Sequence, residues 1–159
     1  MPSSIKSKGK LRDVLIGTPA AGPTADTNDS QAWKDFVDAY KKQPGAFPSP
    51  SLFAHAYYIG MKAAILALDE VGGDLSDGGA KYREALAKLS FDTPTGKVSL
   101  DANRNAIADI YLTEVTEDAD GNLVNKMIQT VEQANQTLGI DEAEFRALGA
   151  VSRENPSCP

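Results

Sequence analysis

Phe91-Asp92-Thr93-Pro94-Thr95-Gly96, leading directly into Lys97-Val98-Ser99-Leu100, divides this chain into a helical part and a strand-rich part. Proline fixes φ and glycine admits backbone angles closed to other residues, so the first six residues read as turns. The four that follow read as a short strand. On the C-terminal side, Ile107 to Thr116 is rich in strand formers, Asp118-Ala119-Asp120-Gly121-Asn122 is a hairpin turn, and Val124 to Val131 is the returning strand. On the N-terminal side, a helix from about Asp77 to Ser90 places Tyr82, Leu86 and Leu89 on one face.

The breaker pair Gly72-Gly73 separates that helix from a longer one, Leu52 to about Val71, which Ser51 is placed to cap after Pro48-Ser49-Pro50. Its apolar residues, among them Phe53, Tyr57, Tyr58, Ile59, Met61, Ile65 and Leu68, leave almost no polar face, which predicts a central helix covered on more than one side. Upstream, Trp33, Phe36, Val37 and Tyr40 fall at helical spacing behind a cap from Asp29 or Ser30, and Gln43-Pro44-Gly45 ends the run. Asp13 to Thr18 reads as a buried strand running into a loop from Pro19 to about Asn28. A short amphipathic helix around Glu142 to Leu148 precedes a proline-ended tail. This order of strand, helices, short strand and antiparallel hairpin implies an α/β architecture, without an internal repeat.

With 159 residues the chain is long enough for one domain with a real core but not for two large lobes. A hydrophobic fraction of 42% and a formal charge of −6 fit a globular protein and argue against a nucleic-acid partner, whose phosphates would be repelled. Lys6, Lys8, Lys10 and Arg12 form the one basic cluster, read as a solvated tail over residues 1–10. The start shows no apolar stretch of signal-peptide length, and Leu52 to Leu68 is too interrupted for a membrane span.

Little in the sequence carries chemistry. One cysteine and one histidine exclude a Cys/His zinc cluster. Cys158, flanked by prolines, is either a free terminal thiol or half of a disulfide with a partner outside the chain. Asp101-Ala102-Asn103-Arg104-Asn105 begins like a calcium loop, but Ala106 stands where glycine is required and Leu112 where the bidentate glutamate belongs. The carboxylates are scattered, no convergent catalytic set is visible, and no cofactor is called for, so an enzyme is not expected. Phe53 and Tyr58 lie near the N-terminus of the apolar helix, where a ring can pack a small solute and helix-end N–H groups favour a carboxylate. Both also suit core packing, and His55 reads either as a satisfied, partly buried histidine or as a ligand contact.

Taken in order, Ile16-Gly17-Thr18-Pro19, Trp33 to Lys41, Pro48-Ser49-Pro50-Ser51-Leu52-Phe53, Tyr57-Tyr58, and Leu89 to Asp101 form a sequential pattern over roughly residues 11–133. That pattern resembles the C-terminal part of the leucine/isoleucine/valine-binding proteins, type I periplasmic binding proteins of ABC importers. The Phe-Asp-Thr-Pro-Thr-Gly segment, with its short strand and Asp101, is its most specific piece.

The resemblance implies a fragment of a two-lobed α/β fold joined by three crossings, ending in an antiparallel β-hairpin, with residues 134–159 as a helix and tail. One crossing strand would lie near Val14 to Thr18. It implies Phe53 as the leading ligand contact; Tyr58 matches a frequent family tyrosine, although Ile59 stands where an aspartate commonly follows. The implied function is capture of a branched-chain amino acid or related small amide or acid by lobe closure, or ligand sensing by the same fold. The implied partners are the small-molecule ligand, a membrane permease and the N-terminal remainder of the protein. The implied compartment for the full-length parent is the periplasm.

Overall fold

The computed structural model describes residues 10–47 and 49–149. The expectations placed on Lys6, Lys8 and Cys158 lie outside these residues. Among the described residues no helix is long and apolar enough to cross a membrane.

The chain opens with helix α1, Lys10–Leu15, and strand β1, Pro19–Gly22. This corrects the strand expected over Asp13 to Thr18: its first half is helical, and the strand starts at Pro19. The Arg12 guanidinium pairs with Glu117 and donates to the Gly121 carbonyl at 2.8 Å, which fastens α1 to the distant hairpin turn. Gly17 then reverses the chain at φ 84°, and the ladder begins with the Gly17 N–H to the Val115 carbonyl and the Val115 N–H to the Thr18 carbonyl. Pro19 is tolerated as the first residue of an edge strand, where no donor is needed.

Helix α2, Gln31–Lys41, is capped by Ser30, whose Oγ accepts from the Trp33 N–H. Its expected face is the inward one, with Trp33 buried and Phe36, Val37 and Tyr40 half-buried. Helix α3, Leu52–Glu70, is capped by Ser51 in the same way and ends at Gly72 and Gly73, both at positive φ. Helix α4, Ala80–Lys88, starts where the Asp77 carboxylate accepts from the N–H groups of Ala80 and Lys81.

The strands that follow are β2, Ser90–Thr93, β3, Gly96–Leu100, β4, Ala106–Glu117, and β5, Leu123–Ala134, before helix α5, Glu142–Ala147. Sheet order is β1-β4-β3-β2, with β5 also on β4, and every pairing is antiparallel. Strand β2 was expected to be helix end and turn. It pairs with β3 instead, because Pro94-Thr95 closes a two-residue hairpin with Thr93 opposite Gly96. The long β4–β5 hairpin turns where expected, with the Asp118 carboxylate accepting from the N–H groups of Asp120 and Asn122.

The buried core joins Trp33, Ala67, Tyr111, Val115 and Leu123 with four polar residues, His55, Thr93, Thr95 and Thr113. Among the described residues the expected all-round cover of α3 is absent. Among the described residues of the helix only His55 and Ala67 are buried, while Leu52, Phe53, Tyr57, Met61, Ile65 and Leu68 are exposed. The physical reason is supply: α3 packs on α4 and the aromatic face of α2, and no sheet lies across its other side.

Candidate functional site

The N–H groups of a helix's first turn have no acceptor within the helix and carry its positive dipole end. In α3 the Ser51 hydroxyl takes the N–H of Ala54, leaving Leu52 and Phe53 to present theirs at the helix mouth. This end of α3 meets the β1–β4–β5 ladder, and a cavity of about 280 Å³ lies between them.

One wall of the cavity is Pro50, Ser51, Leu52 and Phe53. The facing wall is Thr18 with Ala20, Ala21 and Gly22 of β1, floored by Thr113 and Val115 of β4. Small residues on β1 open the space into which the Phe53 ring looks. Register fixes the floor, since Ala20 lies opposite Thr113 and Gly22 opposite Tyr111.

Asp26 closes one end. Its carboxylate accepts from the Asn125 N–H at 2.8 Å and from the Ser49 hydroxyl at 3.1 Å, and its own N–H donates to the Asn125 carbonyl. It therefore ties the loop before α3 to the start of β5. Among the described residues the lining carries this one carboxylate and no cationic side chain. Among the described residues no group of His, Cys, Asp or Glu is placed to hold a metal ion. The arrangement can pack an apolar body against Phe53 and Leu52 and offer hydroxyl and helix-end N–H groups to a polar one.

The structure does not bring Phe53, His55 and Tyr58 together. Phe53 is on the cavity wall, with its side chain open to solvent. His55 is 2% exposed, behind the wall, between the rings of Trp33 and Phe36. Burial lowers its pKa to about 4, so the imidazole is neutral at pH 7. Tyr58 lies on a separate groove with Phe36, Lys62 and Asp92, its ring 5.0 Å from that of Phe36. Sequence reading missed Ala20, Ala21, Asp26, Thr113 and Asn125. They come from segments more than a hundred residues apart with no local motif, and the density of small residues after Pro19 was the one available signal.

No curated protein sequence matches the chain significantly. Solved structures do. A solute-binding protein of an ABC transporter from Rhodopseudomonas palustris BisB5, in complex with 3,4-dihydroxybenzoic acid, is 27% identical with a TM-score of 0.69, covering 82% of this chain and 34% of that one. A second from R. palustris, in complex with 4-hydroxybenzoate, is also 27% identical with a TM-score of 0.69, covering 81% and 35%. The leucine-, isoleucine-, valine-, threonine- and alanine-binding protein of Brucella ovis, in its closed conformation, shares the fold at 21% identity and a TM-score of 0.67, covering 89% and 36%. This chain thus spans about a third of the length of the structures it matches. Residues 3–122, from ahead of β1 through the hairpin turn, match the family model described as periplasmic binding protein, and the chain belongs to that family.

Proposed function

We propose that this chain supplies part of the solute site of an ABC importer's substrate-binding protein, which captures its ligand by closing two lobes. The observation that carries the reading is the cavity at the mouth of α3, where an exposed phenyl ring faces small-residue strand β1 across about 280 Å³. A concave, mostly apolar wall with a few polar groups suits a small molecule with an apolar body and one polar end. The ligand is a branched-chain amino acid or a related small amide or acid.

A second reading within the same class is an aromatic acid. It is favoured by the exposed Phe53 face and by the dihydroxybenzoic acid and hydroxybenzoate bound to relatives 27% identical to this chain. Aromatic rings stack with an advantage of about 0.5–1.5 kcal/mol beyond the area they bury.

In this reading no bond is made or broken, and the protein is not an enzyme. The closed form is favoured because the ligand touches both lobes there and one lobe in the open form. The full-length protein works in the periplasm, its remaining part covers the exposed face of α3, and its partner is a membrane permease. A ligand-sensing protein of the same fold would use the same closure without a permease.

Calorimetric titration of the full-length protein with leucine, isoleucine, 4-hydroxybenzoate and a small amide tests the proposal. Saturable binding of one of them at micromolar or lower concentration is the expected result. Absence of binding to all four, or hydrolysis of the amide, overturns it.

A further inference from the structure

Of the buried polar residues, His55, Thr93 and Thr95 join one circuit that runs on through Tyr111, the half-buried Asn28 and the exposed cap Ser30, while Thr113 lies apart against the Ala20 carbonyl. His55 Nε2 and Thr95 Oγ1 are hydrogen-bonded at 2.9 Å, and both residues are buried. The Tyr111 hydroxyl donates to the Thr95 carbonyl at 3.0 Å and accepts from Asn28 Nδ2 at 3.2 Å. Asn28 Oδ1 accepts from the N–H of Ser30, the cap of α2. Ser30 Oγ accepts from the N–H of Trp33, whose ring lies 6.0 Å from the His55 imidazole and completes the circuit.

Its members come from five elements: α3, the β2–β3 turn, β4, the loop after β1, and α2 with its cap. The turn is itself rigid, because Thr93 Oγ1 donates to the Gly96 carbonyl at 2.6 Å and accepts from the Thr95 N–H. Tyr111 sits opposite Gly22 in the ladder, so the circuit reaches the cavity floor through the backbone. It reaches the cavity wall through α3, where His55 is two residues beyond Phe53. Successive helical residues are rotated by about 100°, so the imidazole grips the helix from the side opposite the phenyl ring.

We infer that His55, through Thr95 and Tyr111, is a positioning residue that holds the ligand-facing end of α3 against β4 and thereby sets where Phe53 stands. The inference rests on the reading of this cavity as the ligand site. A wall held at fixed distance is preorganised, and affinity lost on releasing it shows as faster dissociation. The buried hydrogen bonds of Thr95 with His55 and Tyr111 specify one arrangement, whereas an apolar contact tolerates sliding.

The test uses the full-length protein carrying Thr95→Val, which keeps side-chain shape and removes the hydroxyl, beside Thr95→Ser, which restores it. The probe is whichever of leucine or 4-hydroxybenzoate the unaltered protein binds. Thr95→Val is expected to weaken binding about tenfold through faster dissociation, and Thr95→Ser to return it to within about twofold of the unaltered protein. Tyr111→Phe serves if Thr95→Val fails to fold, with the same expectation. Binding by the folded variant equal to that of the unaltered protein overturns the inference and leaves a hydrogen bond of the core alone.

If neither probe binds the unaltered protein, the positioning role is read without ligand. With 4-fluorophenylalanine incorporated at position 53, the fluorine resonance should broaden or split in Thr95→Val and stay single in Thr95→Ser. An identical line in all three proteins overturns the inference.

Discussion

Phe53 and His55 stand two residues apart on α3 and face opposite ways, the phenyl ring 67% exposed at the cavity and the imidazole 2% exposed in the core. The helix thus separates two tasks that sequence proximity alone would merge. On the proposed reading one residue meets what enters the cavity, and the other fixes the helix that carries it.

Phe53→Ala should separate binding from stability. The ring packs little within the chain, so thermal stability of the full-length protein should change by no more than about 0.5 kcal/mol. Losing an aromatic wall should cost the ligand about 1–3 kcal/mol, roughly a five- to 150-fold rise in Kd. Calorimetric titration beside a thermal melt checks both. Unchanged affinity would remove Phe53 from the site.

The buried histidine makes stability depend on pH in a defined direction. Burial takes its pKa from 6.5 down to about 4, so between these values the unfolded chain holds the proton and the folded chain does not. The stabilisation is therefore complete above about pH 6.5 and is lost as pH falls towards 4. A shift of this size corresponds to about 3 kcal/mol. Urea unfolding of the unaltered protein and of His55→Gln at pH 7 and pH 4.5 checks it. The unaltered protein should lose more stability than the variant; equal losses would place the proton elsewhere.

Elements whose signal is local were legible in the sequence. Ser30 and Ser51 cap their helices, Gly72-Gly73 ends α3, and the Asp118 to Asn122 turn joins β4 to β5, each from residues within a few positions. Strands β1 and β2 were not legible, because β-structure is decided by a partner far along the chain. Pro19-Ala20-Ala21-Gly22 has no strand propensity and becomes a strand because β4 offers it a ladder. Asp13 to Leu15 has the propensity and is helical, with Arg12 anchored across the sheet. Of the site, Phe53 was visible as an aromatic beside a helix cap. The Asp26–Asn125 clamp, 99 positions apart, left no trace a linear reading could find.

Gly96→Ala should be strongly destabilising for two reasons that add. Gly96 sits at φ 113°, which side chains rarely adopt, and a Cβ there would lie 2.5 Å from Asp109 Oδ2. Asp109 cannot swing away freely, since its Oδ1 accepts from both the backbone N–H and the side-chain amide of Gln133. The cost should be about 2–4 kcal/mol in denaturant unfolding. A loss below about 0.5 kcal/mol would mean that the turn relaxes without strain.

The uncovered side of α3 makes the behaviour of the 159-residue chain alone predictable. Beyond the cavity, Tyr57, Met61, Ile65 and Leu68 recur at spacings of four and three, which places them along one side of the helix, and all are exposed. Contiguous apolar surface of this kind on an isolated chain favours association. At micromolar concentration the chain alone should elute as a dimer or larger species, or fail to melt cooperatively. Met61→Lys with Ile65→Glu places opposite charges at i and i+4 on that side and should shift elution towards monomer without loss of helix content. In the full-length protein, where the proposal has this side of α3 packed against the remainder, the same pair should be destabilising by several kcal/mol. Light scattering and circular dichroism on both lengths decide the matter. A monodisperse, cooperatively melting monomer of the unaltered chain would show that this face needs no cover, and would remove the main reason for placing it inside a longer fold.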